Sequence, residues 1–299
     1  MSTTTMIPSP AETEILSGER FEFGENWRSF LSVLDDQRIA MAEASLQDML
    51  EVSDLRGVRF LDVGSGSGLF SLAARRLGAE VHSFDFDAQS VACTAELKRR
   101  YFPNDDQWTA EQGSVLDADY LTTLGTFDVV YSWGVLHHTG AMWQALDNVM
   151  PLVADGGRLF VSIYNDQGFA SRCWRSVKRF YCESPPLARR LVLGGVGSYF
   201  KARSFAARLV SRPARIATPR ERGMSAPHDL KDWVGGYPFE VAKPEQVFDV
   251  CRAKGFVLQR LITRGGGGGC NQFVFARLSS LGAGSLAPLT ATARRGPER

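Results

Sequence analysis

Two acids, a loop with glycine at every second position and a pair of histidines are the residues of this 299-residue chain whose types and spacing could do chemistry. Asp62 and Asp85 each come at or near the end of a short apolar run, where a carboxylate can accept hydrogen bonds from a ligand or face a cation. Gly64-Ser65-Gly66-Ser67-Gly68 lies between them, and each missing Cβ lets the backbone turn tightly and come close to a ligand. Asp85 stands 21 residues after Gly64, the distance of an acid that grips ribose hydroxyls. His137 and His138 follow a third apolar run and titrate near neutrality, which suits a general base. Adjacent residues cannot both face one site, and His138 is favoured. The competing readings are structural: acids that cap turns, and a histidine that bonds backbone to shape its loop.

The surrounding pattern must place these groups. Residues 58–63 read as a strand, 69–77 as an amphipathic helix closed by Gly78, and 79–85 as a second strand. A helix over 88–101 stops near Pro103, a strand covers 107–112, and 113–117 is a loop. Strand 127–132 leads into 133–138, a helix spans 141–153, Asp155-Gly156-Gly157 turns the chain, and 158–164 is a fifth strand. Strands alternating with helices imply a parallel, doubly wound sheet, with the ends of strands one, two and four on one carboxyl edge. A late helix over 244–254 precedes strands 256–263 and 271–278, which could pair as a hairpin across Gly265 to Gly269. Before the first strand come an aromatic, turn-rich stretch over 21–31 and a helix over 36–50. The aromatic stretch either packs on the core or forms a flap over the ligand site. Residues 1–14 read as a disordered leader, 15–278 as one domain, and 279–299 as a disordered tail.

A net charge of +1 names no partner, but its distribution is uneven. Residues 167–222 hold thirteen Lys/Arg against two acids, so the remainder of the chain is acidic. This helical insertion interleaves its cations with Leu, Val and Phe, as at membrane surfaces or over anionic ligands; a solvated arginine-rich insertion is the plainer alternative. The same interleaving disfavours nucleic acid. Five scattered cysteines without a CxxC pair fit neither a disulfide framework nor a zinc cluster, and point to a reducing cytoplasm. His82 sits in a strand and His228 in a loop, neither with metal-ligand spacing. No apolar run reaches the roughly 18 residues of a membrane span.

Two cofactors fit the glycine loop taken alone, because NAD and S-adenosylmethionine both carry a ribose. A dinucleotide site wants G-x-G-x-x-G, and the third glycine's place is Leu69. The ordered set of Asp62 to Gly68, Asp85, Gly113-Ser114-Val115, and Asp128 to His138 resembles class I S-adenosylmethionine-dependent methyltransferases, and looks closest to the quinone-biosynthesis O-methyltransferases. The resemblance implies a seven-stranded, mostly parallel Rossmann-like sheet carrying a helical lid insertion. It implies that Asp62, Gly64, Ser65, Gly66 and Gly68 hold the methionine moiety, and that Asp85 accepts both ribose hydroxyls. Phe86 would stack on the adenine, and Ser114, where the family more often has Asp, would address its edge with Val115. Ser132 and Trp133 would line the path of the methyl group, with Trp133 and Tyr164 touching the acceptor and His138 or His137 as base. The expected reaction is methyl transfer to a small lipophilic or anionic acceptor, with oxygen the favoured atom and a peripheral membrane contact through the basic insertion. The alternatives are an NAD(P)-dependent oxidoreductase and a membrane-docked, non-catalytic cofactor-binding module.

Overall fold

The computed structural model describes residues 13–15, 17–210 and 226–278. The expected leader and tail fall outside these residues, apart from Thr13 and Glu14, and so does the end of the insertion. Strands β1 (Arg59–Val63), β2 (Glu80–Asp85), β3 (Trp108–Gln112), β4 (Phe127–Trp133), β5 (Val153–Tyr164), β6 (Phe256–Ile262) and β7 (Cys270–Arg277) make one sheet in the order β3-β2-β1-β4-β5-β7-β6. The first five are parallel, and β7 runs antiparallel to both β5 and β6. This is the expected α/β class with one antiparallel hairpin at its edge.

Period-two alternation divides the sheet between two cores. Leu61, Val130, Leu159 and Phe273 face one layer, covered by α5 (Ala118–Leu124), α6 (Met142–Val149) and α10 (Pro244–Ala253). Phe60, Val129, Phe160 and Val274 face the other, covered by α2 (Asp36–Leu50), α3 (Leu69–Arg76) and α4 (Ala88–Tyr101). Asp62 shares the parity of Phe60 and therefore points toward α3.

Five local features differ from the sequence reading. The stretch over 21–31 is largely a helix, α1 (Phe23–Leu31), with the Gly24 N–H bonded to Asp87 Oδ2 at 2.8 Å. Helix α5 was not anticipated, although Asp117 caps it by accepting from Tyr120 N at 3.0 Å. The helix expected over 141–153 ends at Val149, and a 3₁₀ turn over Met150–Leu152 follows because Pro151 has no N–H to continue the ladder. Asp155 to Gly157, expected to be a turn, lies inside β5, where a register shift against β4 absorbs it and Gly156 takes φ +76°. His228, placed in a loop from sequence, lies on helix α9 (Ala226–Gly235). The insertion supplies α7 (Phe169–Glu183) and α8 (Pro186–Val210), both helical as expected.

Candidate functional site

A cavity of about 640 Å³ opens along the carboxyl ends of β1, β2 and β4, where the strand order reverses. Its floor is the loop after β1. Gly64 holds φ +77°, and a Cβ there would stand 2.4 Å from Val135, so only glycine fits. Gly66, at φ +56°, lies under the Trp27 indole of α1 and donates its N–H to Asp85 Oδ2 at 2.9 Å. The other oxygen of Asp85 accepts from Asp87 N at 2.9 Å. One carboxylate thus ties the end of β2 to the glycine loop and to the turn that starts α4.

Asp62 is buried beneath that floor. Trp108 Nε1 donates to Ser83 Oγ (3.0 Å), Ser83 to Ser71 (2.9 Å), and Ser71 to Asp62 Oδ2 (2.5 Å), which fixes the acid from behind. Burial raises the Asp62 carboxyl to about 7 and the Asp85 carboxyl to about 6. The ionised acids therefore lack water and favour a cationic or hydroxyl-bearing ligand. Phe86 closes this end, with the Arg20 guanidinium 4.9 Å from its ring centroid. Ser114, whose Oγ accepts from Leu116 N at 3.2 Å, and Val115 form the rim.

The opposite end of the cavity is aromatic. Trp133 donates Nε1 to Gln272 Oε1 at 3.1 Å, and Tyr164 packs on Trp233 with centroids 5.2 Å apart. His138 lines this end and donates Nδ1–H to Pro238 O at 2.7 Å, leaving Nε2 as the acceptor nitrogen. Burial and the nearby Lys178 ammonium lower its pKa to about 3. Lys178 on α7 is fully buried, donates to Trp233 O, and stands 4.6, 4.8 and 5.5 Å from the rings of Trp233, Phe239 and Tyr164. Burial lowers its pKa to about 7.

Eleven of the residues expected from sequence line the cavity, and three do not. Gly68 starts α3 with φ +79° and abuts Thr94. Ser132 is fully buried and donates to Val63 O at 3.2 Å, bracing β1 against β4. His137 is fully buried behind Tyr164 at 4.0 Å between centroids, and burial keeps it neutral. Sequence reasoning passed over Arg20, Asp232, Trp233 and Arg264, which also line the cavity. No spacing marked them; the aromatic stretch over 21–31 was the available signal for Phe23 and Trp27. The five-glycine loop is a secured turn, with carbonyls of Gly265 and Gly267 accepting from Asn165 Nδ2 and that of Gly266 from Gln167 Nε2. Among the described residues no His, Cys, Asp and Glu group could hold a metal.

A family model described as a methyltransferase domain matches residues 61–159. These residues are a methyltransferase domain. It contains the glycine floor, both acids and His138; the family's methyl donor is S-adenosylmethionine. A ubiquinone biosynthesis O-methyltransferase from Parvibaculum lavamentivorans is 32% identical over 124 residues, 40% of this chain and 45% of that protein. A ribosomal-protein methyltransferase from Methylococcus capsulatus is 40% identical over 73 residues, 24% of this chain and 25% of that one. The chain thus spans less than half the length of either relative. The solved magnesium protoporphyrin IX methyltransferase from Synechocystis, with bound S-adenosylmethionine, shares the fold at TM-score 0.51 and 12% identity, covering 92% of this chain and all (100%) of that one. The methyltransferase domain carries Leu69, 1% exposed, where a dinucleotide site would place its third glycine.

Proposed function

We propose that this protein transfers the methyl group of S-adenosylmethionine to an oxygen of a small lipophilic or anionic acceptor. The observation that carries this reading is the floor of the cavity, where half-buried Asp85 closes the glycine loop through Gly66 N. The residues suit the donor: a loop without side chains at Gly64 and Gly66, a buried acid below and a second one beside it, and an aromatic ring at Phe86. When bound, S-adenosylmethionine supplies an already activated methyl carbon, so the protein mainly aligns, desolvates and handles one proton.

Asp62 and residues 64–66 hold the methionine end, Asp85 the ribose, Phe86 the adenine face, and Ser114 with Val115 its edge. Trp27 and Phe23 of α1 cover the site and exclude water. Trp133 and Tyr164 place the acceptor. With the donor held there, an acceptor hydroxyl placed against Trp133 and Tyr164 would face the activated methyl carbon, and His138 Nε2 would take the proton that the hydroxyl gives up. A base with a pKa of about 3 is strong enough for this, because an oxygen that has just gained a methyl group is far more acidic than a free hydroxyl. Residues 15–278 act as one domain with 167–222 as its lid, and the basic insertion touches a membrane surface from the cytoplasmic side. Five free thiols support that reducing compartment.

Calorimetry with S-adenosylhomocysteine and with NADH tests the donor. Binding of the first alone is expected, and binding of NADH alone would overturn the reading. Radiolabelled donor presented with phenolic and lipid extracts then identifies the acceptor.

A further inference from the structure

The helices of the insertion have two apolar faces, and the site uses one of them. On the inner side of α8, Val192, Leu193 and Val196 pack against the buried group formed by Phe21, Tyr181 and Val234. Phe200 stacks on Trp174 of α7 at 5.8 Å and 12°, Trp174 meets Trp233 at 5.7 Å, and Trp233 meets Tyr164 at 5.2 Å. A continuous row of rings therefore joins the lid to the acceptor end of the cavity.

Among the described residues nothing covers the outer side. Phe169, Leu187, Leu191 and Phe205 are each 65–73% exposed, and Phe180 and Tyr199 are more than half exposed (57% and 52%). On α8, Leu187, Leu191 and Tyr199 recur at helical spacing beside Gly195, so they form one stripe rather than scattered residues. A helix that is apolar on both sides is unstable in water unless the second side also finds a partner.

Charge says what kind of partner. Helix α8 carries five Lys/Arg and no acid over its 25 residues. The one acid of α7, Glu183, is taken by Arg179 at 2.8 Å. Arg172, Arg190 and Lys201 are exposed and make no ion pair among the described residues. The Arg172 guanidinium lies 5.8 Å from the Phe169 ring, an apolar anchor with a cation beside it. Large apolar side chains flanked by cations on a continuous helix are what the interface of an anionic bilayer accepts. A protein partner would instead need an apolar counterface. Among the described residues the exposed apolar side chains elsewhere are Val33, Tyr101, Trp143 and Leu278 on separate parts of the chain and the adjacent pair Leu261 and Ile262 on β6, too few to match it. No described helix is long and apolar enough to cross a membrane, so the contact is one of surface.

We infer that the outer face formed by Phe169, Phe180, Leu187, Leu191 and Tyr199, with Arg172, Arg190 and Lys201, docks the protein on an anionic lipid surface. The docked lid lies against the lipid and hands an acceptor from the bilayer to the cavity. The inference rests on the methyl-transfer reading for this purpose, but its test does not. The full chain is floated with vesicles of phosphatidylcholine alone and of phosphatidylcholine with phosphatidylglycerol, at low and high salt. Binding to the anionic vesicles alone, weakened by salt, is expected. Leu187→Glu with Leu191→Glu should reduce it tenfold or more, and Arg190→Glu with Lys201→Glu severalfold, while circular dichroism and S-adenosylhomocysteine affinity stay unchanged. Equal flotation of the Leu187/Leu191 double variant overturns the inference, as does wild-type protein that ignores anionic vesicles. A dimer that the same double variant dissolves, without vesicle binding, makes a second copy the occupant instead. Binding of S-adenosylhomocysteine without vesicle binding defeats docking alone; vesicle binding without it defeats the donor reading alone.

Discussion

The two ends of the cavity are built in different ways. The donor end is mostly backbone: a glycine loop, the ends of β1 and β2, and two acids held by neighbours within about one βαβ unit. The end proposed for the acceptor is side chain, gathered from α1, the turn after β4, β5, α9 and the start of β7, with Lys178 of α7 packed behind the rings. A site made from one contiguous unit keeps its shape through the sheet. One gathered from five segments depends on bonds between them: Asn26 to Asp232 at 2.7 Å, Arg20 to His138 O at 3.0 Å, and Lys178 to Trp233 O. The donor end is thus suited to a constant ligand, and the acceptor end can change without disturbing it.

Variants that strike one end only would test that separation. The largest effect is expected from His138→Ala, which removes the proposed proton acceptor and should lower methyl transfer by roughly 10²-fold or more while sparing S-adenosylhomocysteine affinity. Full turnover would make His138 a scaffold residue. Asp85→Ala should do the reverse, weakening S-adenosylhomocysteine by about an order of magnitude or more in calorimetry, because two charge-assisted bonds are lost. Unchanged affinity would mean that the ribose lies elsewhere.

A pH experiment sharpens the contrast. The folded state lowers Lys178 from 10.5 to about 7, so between these values the unfolded chain binds more protons. Stability from this group is therefore complete above the unfolded pKa and is lost as pH falls toward 7. Melting measured at about pH 7 and pH 8.5 should show a wild-type gain that Lys178→Met flattens, with the variant no less stable at the lower pH. An equal slope in both proteins would show that the ammonium is not desolvated. The smallest change belongs to Trp108→Phe, which leaves Ser83 without its donor and should cost about 1 kcal/mol in denaturant unfolding.

The same division explains what the sequence could reveal. Asp62, the glycines and Asp85 lie in one short stretch whose strand and helix periods are strong, and the alternation of elements implied a parallel sheet with the ends of strands one, two and four on one edge. Helix α1 escaped because no side-chain cap marks its start and its rings read as an aromatic cluster; it is fixed by Asp87, and α9 by Asn26 and Lys178, contacts that span 55 to 206 residues of chain. Ser132 and His137 show the limit within a motif. Each sits in the expected run, but strand parity and the 3₁₀ turn over Leu136–His138 carry their side chains inward. Phe160 and Val161 illustrate the converse, since a run buried on both sides names a central strand but not which layer each residue meets.

The row of rings from Phe200 to Tyr164 also has an optical consequence. Trp174 and Trp233 stand 5.7 Å apart with planes at 70°, close and skewed enough for their transition dipoles to couple. Such a pair gives a chiral exciton signal whose amplitude and sign follow the mutual orientation of the two indoles. One belongs to the lid and the other to the acceptor wall, so the protein carries an unlabelled gauge of lid position.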